Sequence, residues 1–141
     1  MPRKQLPVTE EPCCPADDPC SMRPPLKDRP LLGFVEAVKV MALFKVLAND
    51  TRIRILHHIV RSGEATVTDI ARTLGMKPQA VSNQLVRLSD TRMLASRRDG
   101  NNVFYRVENG CVAPLLDLAL CLMEDECKPR QANGERNVQV N

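Results

Sequence analysis

Two short helices joined by a tight turn are predicted by the spacing of apolar and polar positions in the stretch EATVTDIARTLGMKPQAVSNQLVRLSD. Thr66 and Asp69 have the spacing of a capping box, so the first helix is expected to begin near Thr66. It should run to Leu74, because Gly75 then ends the pattern. Proline is tolerated in a first turn, so Lys77-Pro78-Gln79 restarts the helix. One apolar face of this second helix is formed by Val81, Leu85 and Leu88.

The opposite face of the second helix carries groups that can hydrogen-bond to base edges and phosphates in a major groove. No acidic residue lies between Ile70 and Ser89. The pattern favours a helix-turn-helix over its alternative, an ordinary helical hairpin with a solvated polar face. The candidate DNA contacts on this helix are Lys77, Gln79, Ser82, Asn83, Gln84 and Arg87.

After the second helix, the apolar and polar positions alternate with a period of two, which predicts a strand, a turn and a second strand. Residues 93–98 and 103–107 flank the turn Asp99-Gly100-Asn101-Asn102, in which Gly and Asn can adopt positive φ. A basic hairpin directly after a recognition helix is typical of a wing. Arg97 and Arg98 are placed to reach phosphates or a minor groove. This order of elements favours winged-helix DNA binding over a solvated hairpin.

Apolar helices are predicted on both sides of this unit. Residues 31–48 are apolar nearly all round, which predicts burial on more than one side. A final helix is predicted from Cys111 to Cys127, with Pro114 in its first turn. We expect it to pair with its symmetry mate and with the first helix, as a twofold dimer reading two half-sites requires. Between them, capping residues 49–51 precede a helix over 52–61 with Ile53, Ile55, Leu56, Ile59 and Val60 facing inward.

The expected fold class is therefore mainly α with a small β-hairpin, a winged helix-turn-helix that is dimeric through its N- and C-terminal helices. Residues 1–30 hold eight of the eleven prolines and three cysteines, which predicts a disordered arm. Residues 31–127 form the DNA-binding and dimerisation domain, and residues 128–141 a flexible tail. With three Phe, one Tyr and no Trp, the core must be aliphatic.

The net charge of +3 is too small to indicate nucleic acid by itself. We expect a cytoplasmic protein without a membrane partner, because the N-terminus does not resemble a signal peptide and no apolar run approaches about 18 residues. In a reducing compartment, the six cysteines are expected to be thiols or metal ligands rather than a disulfide framework.

The runs ALFKVLANDTRIRILHHI, TVTDIARTLGMKPQAVSNQLVRLSDTRML and RRDGNNVFYRV resemble the ArsR/SmtB family of winged-helix metalloregulators over about residues 31–127. The resemblance implies a homodimeric repressor that sits on double-stranded operator DNA until a metal or metalloid ion releases it. It places Ser82, Asn83, Gln84 and Arg87 on the recognition helix, with Arg97 and Arg98 in the wing. Lys77 stands where the family often has a capping serine, and Asn83 where it often has histidine.

The sensing site departs further from the family pattern. Thr66-Val67-Thr68 replaces the CVC of members with thiolates on the first helix of the helix-turn-helix. Where other members bind zinc through acidic and histidine ligands, this chain includes Asn109, Cys111, Leu122 and Asp125. The ligands that remain are cysteine thiolates, and sulfur ligands favour soft ions: arsenite, antimonite, cadmium, lead or mercury. The candidate ligands are Cys13, Cys14, Cys20, Cys111, Cys121 and Cys127.

Spacing limits how these cysteines can share an ion. Cys111 and Cys121 are separated by ~15 Å of helix rise, whereas two thiolates on one ion lie within ~4 Å because each bond is ~2.3 Å. In an antiparallel twofold pair with its axis near Leu116, Cys111 would instead meet Cys121 of the partner subunit. The chain between Cys20 and Leu31 can extend up to ~36 Å, so the arm can reach the same site.

Other functions compete with ion sensing. The cysteines of the final helix could be small buried hydrophobic residues, or the same thiols could make a redox-sensing winged-helix repressor. A thiol enzyme built on Cys13-Cys14 is disfavoured, because the chain has no CxxC motif and no recognisable histidine partner. A winged helix that binds protein instead of DNA would not need Arg97 and Arg98. His57 and His58 are expected to be packed or solvated helix residues, since neither has a second ligand at helical spacing.

Overall fold

A computed structural model describes residues 23–124 of the chain. A short 3-10 helix, Leu26–Asp28, precedes the domain. The elements that follow are α1 Phe34–Leu47, α2 Asp50–Ser62, β1 Glu64–Thr66, α3 Val67–Leu74, α4 Pro78–Asp90, β2 Leu94–Asp99, β3 Asn102–Val107 and α5 Val112–Met123. The mainly α, winged helix-turn-helix class is confirmed. Most of the predicted arm, the whole predicted tail and Cys127 lie outside the described residues.

The helix-turn-helix forms as its sequence predicts. The Thr66 hydroxyl accepts from the backbone N–H of Asp69 at 3.2 Å and donates to the Asp69 carboxylate at 2.7 Å. The carboxylate accepts hydrogen bonds from the Thr66 hydroxyl and, at 3.3 Å, from the Thr66 backbone N–H, and these two bonds hold the pKa of the Asp69 carboxyl below its ordinary value. Gly75 ends α3 with φ of 66°, a left-handed conformation that glycine adopts without steric cost. Pro78 begins α4.

The sheet is larger than the predicted hairpin. Three antiparallel strands lie in the order β1-β3-β2, and Ala65 of β1 is opposite Tyr105 of β3. The predicted four-residue turn is wrong at both ends, because Asp99 and Asn102 pair with each other as strand residues. Only Gly100 and Asn101 remain in the turn, with φ of 59° at Gly100.

The core is aliphatic and lies between α2, the helix-turn-helix and the sheet. Its fully buried side chains are Ile55, Leu56, Ile59, Ile70, Val81, Leu85 and Leu88. The prediction that Ile53 faces inward is wrong, because this side chain is 41% exposed. Val60 is only partly buried. The face of α2 that packs inward is therefore narrower than its apolar composition indicates.

Within residues 23–124, the first and last helices leave apolar surface uncovered. In α1 only Leu47 is buried, so the described part of the chain does not provide the burial predicted on more than one side. In α5 only Val112 is buried, whereas Leu118 and Leu122 are exposed. None of the described helices is both long and apolar enough to cross a membrane. Both helices therefore present exposed apolar side chains.

Candidate functional site

The recognition helix α4 is fixed by its apolar face and presents polar side chains on the other. Val81, Leu85 and Leu88 are completely buried. Lys77 occupies the N-cap position, and its side chain makes no capping hydrogen bond. The exposed candidates for DNA contact are Lys77, Gln79, Asn83 and Arg87, whereas Ser82 and Gln84 are partly buried.

Three amides on α4 are already engaged in hydrogen bonds. Gln79 Nε2 donates to Asn83 Oδ1 at 3.1 Å, one helical turn away on the exposed face. This pair can present its remaining donors and acceptors to base edges in a fixed arrangement. Gln84 Oε1 instead accepts from Arg52 Nε at 3.0 Å. Gln84 therefore faces α2, unlike the Gln79–Asn83 pair.

The two wing arginines have different surroundings. Arg97 contacts the Glu64 carboxylate through two hydrogen bonds, at 2.6 and 3.0 Å, and lies 3.5 Å from Asp99 Oδ2. Its guanidinium carbon lies 4.5 Å from the centroid of the Phe104 ring. Arg98 belongs to the opposite face of β2, where it pairs in register with Val103 and stays exposed. Arg97 thus ties the wing to β1, and Arg98 is the more available cation.

The ion pair that holds Arg97 persists at neutral pH. Hydrogen bonds from Arg97 hold the pKa of the Glu64 carboxyl below its ordinary value, and those bonds raise the pKa of Arg97 in turn. Because the carboxyl pKa is lowered in the folded state, the pair contributes above the ordinary pKa of glutamate and is lost as pH falls through the lowered value. At neutral pH, the Arg97 guanidinium therefore faces an ionised carboxylate.

Arg98→Ala is expected to reduce the salt dependence of DNA binding more than Arg97→Ala. A cation that neutralises one phosphate contributes about 0.9 to the slope of log affinity against log salt. We expect Arg98→Ala to lower the slope by about that amount and Arg97→Ala by less than half of it. Fluorescence anisotropy on duplex DNA at four salt concentrations measures both slopes. Equal losses for the two variants would show that Arg97 leaves its carboxylates to contact DNA.

Only two of the six candidate metal ligands lie within the described residues. Cys111 is the exposed N-cap residue of α5, and its backbone N–H donates to Asn109 Oδ1 at 2.9 Å. Cys121 is partly buried near the other end of α5 and is disulfide-bonded in this structure, so the expectation that it is a thiol is wrong here and it would have to be reduced before it could bind an ion. Cys13, Cys14, Cys20 and Cys127 lie outside the described residues. The structure therefore does not bring the predicted ligands together within the described part of one chain.

A small apolar cavity adjoins Cys111. Its volume is about 80 Å³, and its walls come from α1, from the residues that follow α4, and from the start of α5. The lining residues are Leu43, Leu47, Thr91, Met93, Asn109, Cys111, Val112, Leu115 and Leu116. A ligand held at Cys111 would thus contact both a terminal helix and the segment immediately after the recognition helix.

Among the residues that the structure describes, the histidines of α2 are not part of a metal cluster. His57 and His58 line an open cavity of about 450 Å³ together with Arg54 and Arg61. Within residues 23–124, no three His, Cys, Asp or Glu side chains are grouped so as to hold a metal ion. A complete sulfur site would therefore need ligands from a second copy of the chain or from the segments outside this range.

The sequence and the fold are similar to those of known proteins. A family model described as the MarR family matches residues 49–102, from the start of α2 to the start of β3. The AntR antimony-specific transcriptional repressor has a crystal structure that matches with a TM-score of 0.64 and 57% sequence identity, covering 74% of this chain and 94% of that chain. This chain belongs to the ArsR/SmtB family. Members of this family are DNA-binding transcription regulators, not enzymes.

Two further relatives of this ArsR/SmtB protein cover less of its sequence or are less identical. The regulator KmtR of Mycobacterium tuberculosis is 35% identical over 77 residues, which is 55% of this chain and 58% of KmtR. The chain thus spans less than two thirds of that relative. A homodimeric winged helix-turn-helix DNA-binding domain from Mycobacterium bovis matches with a TM-score of 0.58 and 26% identity, covering 75% of this chain and all of that domain.

Proposed function

We propose that this ArsR/SmtB protein is a cytoplasmic repressor that binds operator DNA as a homodimer and releases it when cysteine thiolates bind a thiophilic ion. The observation that carries the proposal is the position of Cys111 on the cavity between α1 and the end of the recognition helix. The similarity to an antimony-specific repressor supports a trivalent metalloid, antimonite or arsenite, as the first candidate. Cadmium, lead and mercury suit the same soft ligands.

The homodimer is supported by the apolar surface that α1 and α5 leave uncovered. The exposed side chains include Phe34, Phe44, Leu118, Leu122 and Met123. Water contact with such an extended apolar surface is unfavourable, and a second copy of the chain would cover it with identical residues in a twofold arrangement. The M. bovis relative is itself homodimeric.

The ion site proposed here is completed across the dimer. Cys111 and Cys121 occupy opposite ends of α5 and are about 15 Å apart along its axis. An antiparallel pairing of α5 with its symmetry mate would bring Cys111 toward Cys121 of the partner subunit. Once the disulfide of Cys121 is reduced, the thiolates would hold the ion by charge donation from sulfur. Cys13, Cys14, Cys20 and Cys127 are the further candidates for completing its coordination.

Release of DNA would follow from the cavity that Cys111 shares with two elements. Leu43 and Leu47 belong to α1, whereas Thr91 and Met93 immediately follow α4. Ordering the thiolates around an ion would therefore change the packing between the end of the recognition helix and the proposed dimer interface of α1 and α5, here called the seam. A coupling free energy of about 1–3 kcal/mol would weaken DNA binding about 5- to 150-fold.

Cys111→Ser is expected to keep operator binding and to lose the response to the ion. The reduced protein would be titrated onto labelled DNA from upstream of its own gene, and antimonite, arsenite, cadmium, lead and mercury would then be added separately. In the parent protein, one of these ions should weaken binding by about 5- to 150-fold. Cys121→Ser tests the second ligand, a Cys13→Ser/Cys14→Ser variant tests the arm, and Ser96→Ala, on the wing, is the control.

Other outcomes would contradict the ion-sensing proposal. If peroxide releases the DNA, reductant alone restores binding and none of the ions acts, the thiols sense redox state instead. An absorption band from sulfur-to-metal charge transfer on titration would support ligation, and its absence would count against it. If the reduced protein does not bind duplex DNA even at low salt, the proposed repressor function is wrong.

A further inference from the structure

Arg52 links α1, which is predicted to take part in dimerisation, to the recognition helix α4. It lies in the first turn of α2, where its backbone N–H donates to the side chain of the N-cap residue Asn49 at 3.0 Å. Its side chain extends in two directions. Nη1 donates to the backbone carbonyl of Val46 in the last turn of α1 at 2.5 Å, and Nε donates to Gln84 Oε1 on α4 at 3.0 Å.

Arginine suits both ends of this bridge. The last carbonyl groups of a helix lack partners within it and carry partial negative charge, so a guanidinium is favourable beside Val46. Within residues 23–124, no carboxylate pairs with Arg52, so its donors are not diverted to an acid. The guanidinium is planar, which fixes the direction of the two hydrogen bonds relative to each other. If the end of α1 moves relative to α4, at least one bond must break.

We propose that Arg52 is a positioning residue that couples the end of α1 to the recognition helix through Gln84. Gln84 is then a structural partner of Arg52 and not a base contact, whereas Gln79 and Asn83 remain in the DNA-reading role. The coupling rests on the proposed function, because α1 belongs to the proposed seam. It supplies a route, separate from the cavity beside Cys111, by which rearrangement of the seam reaches the recognition helix.

The bridge itself can be tested in the free, full-length protein. The Nε–H resonance of Arg52 is expected to be protected from solvent exchange and to lose that protection in Gln84→Met, which keeps the side-chain length but removes the amide acceptor. Arg61→Met removes an exposed arginine from the last turn of the same helix and should leave the Arg52 signal unchanged. An Arg52 Nε–H that exchanges freely in the parent would overturn the bridge, whether or not the protein binds DNA.

The consequence for DNA binding is tested by a double-mutant cycle on operator affinity. Arg52→Met and Gln84→Met should each weaken binding by about 10-fold, and the double variant by about the same factor because both remove one interaction. The slope against salt should not change, since Arg52 contacts no phosphate in this arrangement. Losses that multiply to about 100-fold, or a slope reduced by about 0.9, would show separate DNA contacts instead.

The regulatory part of the proposal uses the ion response. Arg52→Lys keeps the positive charge without the planar pair of donors, so it should bind DNA with the parent's salt slope. We expect its ion response to fall below about 5-fold, whereas Arg61→Met should respond like the parent. A full response in Arg52→Lys would refute transmission through Arg52. If no ion acts on the parent protein, the proposed sensing function fails, and the resonance and the double-mutant cycle still decide the bridge.

Discussion

Leu85→Ala is expected to lower the free energy of unfolding by about 2–5 kcal/mol, because it leaves a cavity under the recognition helix. Leu85 is completely buried and lies on the face of α4 that packs into the core with Val81 and Leu88. In a domain of this size, each kcal/mol corresponds to about 4–8 °C in the midpoint of thermal unfolding. Urea denaturation followed by circular dichroism measures the change directly.

Val86→Ala is the matched control for this substitution. Val86 is the next residue of the same helix and is 55% exposed, so its loss should change the free energy of unfolding by less than about 0.5 kcal/mol. Operator affinity should fall with Leu85→Ala, since α4 would lose its fixed position, and should be nearly unchanged with Val86→Ala. Equal unfolding midpoints for the two variants would show that the apolar face of α4 is not part of the core.

The helix-turn-helix could be predicted because its signals are local. The capping box joins residues three apart, Gly75 acts through its own φ, and one helical face repeats every three or four residues. The buried positions 81, 85 and 88 follow directly from that repeat. No contact between distant parts of the chain was needed for these predictions, and the structure confirms them.

The parts of the fold that were missed depend on distant contacts. β1 has only three residues, too few to show an alternating pattern, and it exists because β3 supplies its hydrogen-bonding partner. The sequence places Arg97 beside Arg98 as if they were equivalent. The carboxylate that separates their roles is Glu64, which lies 33 residues away in sequence and reaches Arg97 only through the three-stranded sheet.

In the candidate site, too, the features that were missed depend on distant contacts. Helical periodicity placed Gln84 with the other polar residues of α4, but its partner Arg52 lies 32 residues earlier and could be identified only from the fold. Periodicity also made Ile53 an inward residue, although it lines an open apolar cavity with Leu120 and Met123 of α5. In the proposed dimer, a second copy would complete this cavity, and periodicity along one chain cannot distinguish such a surface from core.

Leu118→Glu combined with Leu122→Glu is expected to convert the proposed dimer to a monomer and to weaken operator binding by about 10²- to 10⁴-fold. Both leucines are exposed on α5, 61% and 86% respectively, and neither contributes to the buried core of the single chain. A twofold seam would bring each new carboxylate into an apolar interface near its own symmetry copy, which is unfavourable through desolvation and like-charge repulsion. Two separate monomers would then bind half-sites without the gain from linked binding.

Sedimentation equilibrium and anisotropy on full and half operators measure the two effects of this double substitution together. Leu26→Glu is the control, because it adds a carboxylate at a leucine that is 76% exposed but lies before α1. The Glu variant of α5 should keep the parent's circular dichroism and its affinity for a half operator, since the winged helix does not depend on these leucines. A dimer that persists with both glutamates would show that the seam lies elsewhere. The proposed pairing of Cys111 with Cys121 of the partner subunit would then be wrong. A monomer that still binds the full operator as tightly as the parent would show that reading two half-sites does not require this interface.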